Sequence, residues 1–321
     1  MNKPLNIALN ILIFALIAGF GYYIIHSMKS DEKNTLPNEE DTFASPYKLA
    51  YSFDADSDIL SFYIFEHKIY IALADKISVF DLLGNHQRDF AVKSGVRDIV
   101  VDHSAIYVLY PTEIILYTFN GQKKHEWQAC SDNSDYCKVT TTKDYVFVTD
   151  AENKNIVQYT KKGGLVRFIR SPVGFIIPSY TFDIININDT IYTANSGRHR
   201  IESYTLNGEF ITSFGKSGAQ AGAFAGCCNP VYLAQTANGN ILTSEKGNPR
   251  ISSYGRDGKF RTILFDAEML GGGTAAFKMQ VFGENIYIAS KKTISVYTFD
   301  ATFSERTCAN SCAGCPFREG C

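Results

Sequence analysis

Residues 191–208 read IYTANSGRHRIESYTLNG, and residues 241–258 read ILTSEKGNPRISSYGRDG. In both, an apolar β-run passes through a short connection into Ile-x-x-Tyr, and a glycine follows four residues after the tyrosine. The same frame returns six times along the chain, at Ile77/Phe80, Ile114/Tyr117, Ile156/Tyr159, Ile201/Tyr204, Ile251/Tyr254 and Ile294/Tyr297. The glycines are Gly84, Gly121, Gly163, Gly208 and Gly258, and the sixth unit departs with Ala301. Asn120, Asn207 and Asp257 precede their glycines. Asn-Gly and Asp-Gly favour tight hairpins in which both turn residues take positive φ. The aromatics recur every 37 to 50 residues, the period of a four-stranded propeller blade.

The strand before each repeat keeps register as well. Tyr70, Tyr107 and Tyr287 stand seven residues before their isoleucine, whereas Phe147, Tyr192 and Leu242 stand nine before theirs. Units three to five therefore carry two extra residues in that hairpin, on one face and on consecutive blades. The last unit lacks a fourth strand of its own, and Tyr47 to Phe53 is a strand-like run that belongs to no earlier unit. Pairing it into the last blade closes the ring and removes two exposed edges. The expected fold is all-β, a six-bladed β-propeller over residues 47–304.

Composition agrees with sheet. The 321 residues include 19 Tyr and 23 Phe against one Trp and four Met, and aromatic side chains suit pleated, half-buried surfaces. The formal net charge of −2 excludes the basic excess that a nucleic-acid binder uses to neutralise phosphates.

Two appendages flank the propeller. Leu5 to Ile25 carries no charged residue and is long enough for a membrane-spanning helix of about 20 residues. Gly19-Phe20-Gly21 offers a weak cleavage site, but the apolar run continues past it, so residues 1–26 are expected to be an uncleaved transmembrane anchor. Residues 27–46 are polar and acidic, a composition that suits a flexible stalk. The expected arrangement is membrane-anchored, with the propeller on the periplasmic, extracytoplasmic side.

Eight cysteines are clustered. Cys130 and Cys137 bracket a short loop and are expected to form a local disulfide. Cys227 and Cys228 are adjacent; a bond between neighbours is strained, so they are expected to bond elsewhere or to act as thiol ligands. Residues 305–321 form a Cys-rich tail in which Cys308, Cys312, Cys315 and Cys321 are spaced C-x3-C-x2-C-x5-C. Two local disulfides or a metal site holding zinc or an iron-sulfur cluster would each order that segment.

Units four and five resemble the NHL-repeat family. Asn195, Gly197, Arg200 and Ile201, and then Glu245, Gly247, Asn248, Arg250 and Ile251, match its pattern, while unit three matches in part through Asp150 and Ile156. The resemblance implies a six-bladed propeller. It fixes no activity, because such families include RNA binders, peptide-amidating lyases and interaction scaffolds. The lyases and related lactonase-type propellers gather metal ligands at the central channel, whereas His26, His67, His86, His103, His125 and His199 share no register here.

Three functions follow as expectations. The first is a binding module of the cell envelope that presents Arg198, Arg200, Lys246 and Arg250, with Asp150, Asn195 and Glu245, to a protein or peptide partner. The second is a metal- or cluster-binding accessory of electron transfer. The third is a lactonase- or lyase-like enzyme, which needs carboxylates and His or Asn converging on the channel entrance.

Overall fold

The computed structural model describes residues 44–303, together with Gly19. The expected anchor, stalk and cysteine tail therefore lie outside the described residues. Among the described residues, no helix is long and apolar enough to cross a membrane. The chain divides into a unit of residues 1–44 and one of residues 45–321, and the propeller belongs to the second.

Six four-stranded antiparallel sheets make up the propeller. Strand β1 (Tyr47–Asp54) comes first in the chain. Blade one is β2 (Ser61–Phe65), β3 (Lys68–Ala72), β4 (Lys76–Asp81) and β5 (His86–Ala91). Blade two is β6 (Asp98–Val101), β7 (Ile106–Tyr110), β8 (Glu113–Tyr117) and β9 (Lys123–Gln128). Blade three is β10 (Tyr136–Thr141), β11 (Tyr145–Asp150), β12 (Asn155–Thr160) and β13 (Leu165–Ile169). Blade four is β14 (Ile184–Ile187), β15 (Thr190–Asn195), β16 (Arg200–Thr205) and β17 (Phe210–Phe214). Blade five is β18 (Tyr232–Gln235), β19 (Ile241–Glu245), β20 (Arg250–Tyr254) and β21 (Phe260–Phe265). Blade six takes β22 (Lys278–Phe282), β23 (Asn285–Ser290) and β24 (Thr293–Phe299) from the end of the chain and β1 from its beginning, in the order β22-β23-β24-β1.

Burial follows strand position. The middle strands are covered on both faces and read as unbroken apolar runs, such as IYVLY in β7, which is buried throughout. The outermost strands are amphipathic, as in HQRDFA of β5, where exposed and half-buried residues alternate. Charged residues on that outer edge discourage pairing with other chains. Apolar side chains pack between consecutive blades, including the interface of blade six with blade one, where Ile64, Ile71 and Phe80 meet Tyr287, Ile294 and Val296.

The hairpin turns differ from expectation in one respect. Gly84, Gly121, Gly163, Gly208 and Gly258 all take positive φ, but Asn120, Asn207 and Asp257 do not. Gly84 N–H bonds back to Asp81 O, and the β4–β5 register slips at Phe80. This is a type I turn followed by a glycine bulge, which asks for only one left-handed residue.

Candidate functional site

The channel mouth is built by strand register. Each inner strand packs against the next, and β22 returns to β2. Ser61 pairs with Ala72, Asp98 with Leu109, Lys138 with Thr149, Tyr232 with Ser244 and Lys278 with Ala289. Asp183 holds the same place in blade four, where its carbonyl accepts from Ala194 N–H at 2.9 Å. One side chain per blade thus forms a ring in the order Ser61, Asp98, Lys138, Asp183, Tyr232 and Lys278. Two residues deeper on the same strands stand Tyr63, Val100, Thr140, Ile185, Ala234 and Gln280. Because successive side chains in a strand alternate in direction, this second set lies below the first.

The ring lines a cavity of about 220 Å³. Sites for drug-sized ligands run from about 300 to 1,000 Å³, so an occupant here is small. The ring stands at the start of each inner strand, the end to which the second strand of every blade returns. The lengthened hairpins of blades three to five are therefore on this face.

Half of the ring's charge is neutralised internally. Asp98 accepts from Ser61 Oγ at 2.6 Å, from Lys138 Nζ at 3.0 Å and from Val139 N–H at 3.1 Å. Burial works against the Lys138 charge, but Asp98 and Asp183 outweigh it and hold this ammonium above its ordinary value. The other two charges have no such partner. Asp183 is buried, and its Oδ2 accepts from Leu233 N–H at 2.6 Å. Among the described residues no cation stands within 4.0 Å of it, and no carboxylate stands within 4.0 Å of Lys278 Nζ. Burial pushes the Asp183 carboxyl up to about 6, against the opposing pull of Lys138. Burial, followed by repulsion from Lys138, pushes Lys278 down to about 8.

Tyr232 separates the two in ring order. Its ring centroid lies 5.2 Å from Lys138 Nζ and 5.4 Å from Lys278 Nζ, within cation–π range. Burial raises the Tyr232 and Tyr63 hydroxyls, the latter to about 12, so both stay protonated donors at neutral pH. Above the ring, Arg97 stacks on Tyr180 at 5.9 Å and reaches Asp135 Oδ1 at 3.2 Å. Ser179 and Tyr180 both have φ of 56°, a left-handed backbone that is costly for side chains of this kind.

The residues singled out in the sequence sit on the same face but do other work. Asp150, Asn195 and Glu245 pair with Asn155, Arg200 and Arg250 across the lengthened hairpins, and all three are buried. Asp150 accepts from Asp135 N–H and Asn153 N–H, each at 3.1 Å. Asn195 accepts from Ile176 N–H at 3.0 Å and donates to Glu202 at 2.8 Å. Arg250 clasps Glu245 through Nε at 2.8 Å and Nη2 at 2.9 Å, and Arg200 clasps Glu202. These groups tie each hairpin to the connection lying over it. Arg198 is exposed and donates to Gly174 O at 2.8 Å, while the Lys246 backbone is clamped by Asn229.

Cys130 and Cys137 are free thiols rather than the expected disulfide. Cys130 Sγ lies 3.0 Å from Tyr159 Oη, whereas Cys137 is buried, and that burial pushes its thiol up to about 12. Among the described residues, Cys227 and Cys228 bond to no other cysteine; their sulfurs face each other at 2.8 Å. The tail cysteines lie outside the described residues, as does His26.

No protein-family model matches the chain, and no curated protein matches it. Solved structures do. Virginiamycin B lyase from Staphylococcus aureus aligns with a TM-score of 0.55 at 16% identity, over 79% of this chain and all of that one. A streptogramin B lyase aligns at 0.56 and 15%, over 79% and 98%. A Bacteroides thetaiotaomicron protein of unknown function aligns at 0.59 and 13%, over 79% and 74%. These are likenesses of fold: the chain is a β-propeller whose structural neighbours include lyases.

The metal implied for lyase-type propellers does not fit this mouth. The carboxylate of Asp98 already accepts from Ser61, Lys138 and Val139, and two ammonium groups share the cavity. Among the described residues no three His, Cys, Asp or Glu side chains are grouped as metal ligands.

Proposed function

We propose that the propeller is a binding module for a small zwitterion, of free amino-acid size, held in the channel mouth. Its carboxylate sits on Lys278 and its ammonium on Asp183. One observation carries this reading: a buried anion, Asp183, and a half-buried cation, Lys278, equivalent by register, line one small cavity, and among the described residues neither has an opposite charge within 4.0 Å. Burying an unpaired charge is costly, and a ligand that brings the missing charges offsets that cost at both ends. The protonated Tyr232 and Tyr63 hydroxyls add donors. A thermal-shift panel of free amino acids, small carboxylates and small amines is the test. The proposal expects zwitterions to raise Tm and the one-charge analogues to do so less. A panel without any shift contradicts it.

The sequence supplies the setting. Tethering through residues 5–25, an extracytoplasmic propeller of NHL type, and a protein or peptide partner met by Arg198 and Lys246 complete the proposed envelope role. A second reading is favoured by the two displaced protonation equilibria. Asp183 near 6 and Lys278 near 8 are suited to general acid–base work around neutral pH. Proton abstraction and return in a metal-independent, lyase-like reaction is the chemistry such a pair supports.

A further inference from the structure

Among the described cysteines, only Cys227 and Cys228 approach each other. They stand in the connection from blade four to blade five, four residues before Tyr232 at the closest, on the mouth face. Their Sγ atoms are 2.8 Å apart, and the two differ in access, since Cys227 is exposed and Cys228 is buried. The backbone around them is held. Asn229 Nδ2 donates to Ala225 O at 2.7 Å and to Lys246 O at 2.9 Å, and Lys246 N–H donates to Asn229 Oδ1 at 2.9 Å. The Ser179 hydroxyl lies 4.0 Å from Cys228 Sγ.

We propose that Cys227 and Cys228 are a dithiol modification site, oxidised to a disulfide between neighbours by exchange with a low-molecular-weight disulfide. The exposed Cys227 meets the oxidant RSSR, forms Cys227–S–SR and releases one RSH. The Cys228 thiolate then attacks Cys227 Sγ, the ring closes, and the second RS⁻ leaves and takes up a proton. Two thiols are oxidised and one disulfide is reduced to two thiols, so atoms and electrons balance. The inner sulfur is suited to the second step. In the dithiol, burial would raise its thiol, but the Cys227 S–H, the Ser179 hydroxyl and the Lys246 charge outweigh it and hold Cys228 below its ordinary value; once Cys227 is a mixed disulfide, the Ser179 hydroxyl and the Lys246 charge are the groups left to favour the thiolate. The same pairing raises Cys227. Strain in a bond between neighbours makes it easily reduced, which suits a reversible modification.

The full chain offers a clean readout, because the tryptic peptide Ser217–Lys246 contains these two cysteines and no others. The reduced protein is incubated with oxidised glutathione, blocked with N-ethylmaleimide, digested and weighed. The proposal expects this peptide to be about 2 Da lighter than the dithiol and to carry no maleimide. A peptide bearing two maleimides, or retaining glutathione, overturns it. The Cys228→Ser variant separates the steps, since Cys227 should then keep one glutathione as a stable mixed disulfide. An unmodified Cys227 in that variant overturns the assigned order.

Discussion

Phe53 of the first strand lies opposite Ile294 of the last. In every other blade the repeat isoleucine faces an apolar residue of the outer strand in the same way, as Ile77 faces Phe90 and Ile114 faces Trp127. The N-terminal strand therefore fills the outer position of blade six and repeats its contacts. A Cβ at Gly84, in the next blade, would stand 2.5 Å from Phe53 Cγ. Phe90 covers Gly121 and Trp127 covers Gly163 by the same relationship. It also explains Ala301: β1 already occupies the place beside β24 that a hairpin partner would take, so no glycine turn is needed there.

Closure is testable by stability. Gly84→Ala adds a Cβ both at a left-handed φ of 83° and beneath Phe53, and should cost more than about 1 kcal/mol. Phe53→Ala, at a half-buried site, should cost about 2 kcal/mol, below the range of a fully buried phenylalanine. Ala301→Gly should stay within about 0.5 kcal/mol. Urea midpoints of the three variants check this ranking.

The Glu245–Arg250 pair is a structural clasp, and one partner alone would leave a buried charge. Arg250→Ala should therefore lose about 3 kcal/mol, in line with other broken buried pairs. Asp257→Ala, which removes the exposed contacts to Lys259 and Arg261, should change stability by less than about 1 kcal/mol. Equal effects on denaturant midpoints would contradict the clasp.

The paired and unpaired charges of the ring should respond in opposite senses. Asp98→Ala strands Lys138 and should destabilise by about 3 kcal/mol. Lys278→Met removes a charge that burial already disfavours, and should stabilise by about 1–3 kcal/mol at pH 7. Thermal unfolding of the two variants side by side separates them.

Asp183 adds a pH signature. Its folded pKa, about 6, lies above the ordinary 3.8, so the folded state binds the extra proton between those values. The stability linked to this group is complete below about pH 4 and is lost as pH rises through 6. Asp183→Asn keeps an acceptor for Leu233 N–H and escapes that loss. Its advantage over the natural chain should be absent near pH 4, grow through pH 6 and level off above it, reaching about 1–3 kcal/mol. A constant difference from pH 4 to 8 would contradict the buried, proton-binding carboxyl.

The blades and their closure were legible because Ile-x-x-aromatic marks one fixed position in a repeating hydrogen-bond ladder. The ring was legible in principle. Ser61, Asp98, Lys138, Asp183 and Lys278 each stand nine residues before the marker Tyr70, Tyr107, Phe147, Tyr192 or Tyr287, and Tyr232 stands ten before Leu242. The second-strand pattern does not mark them, and short inner strands such as DIVV and YLAQ carry little periodicity. Asp150, Asn195 and Glu245 drew attention instead because they share a register. Sequence spacing cannot distinguish a carboxylate that faces a cavity from one that closes a hairpin. For the two adjacent cysteines the sequence offers only the strain of a bond between neighbours; the loop around them is held by Asn229, which bonds Ala225 and Lys246 and which no motif flags.

Ligand binding at the channel mouth is decided by calorimetric titration of the zwitterion that raises Tm most, into the natural chain and into Lys278→Met. Saturable one-site binding should weaken about tenfold to a hundredfold in the variant, as loss of one charge-assisted hydrogen bond requires, although the variant is the more stable protein. Equal affinity in the two proteins would contradict it and would move the ligand away from the channel mouth.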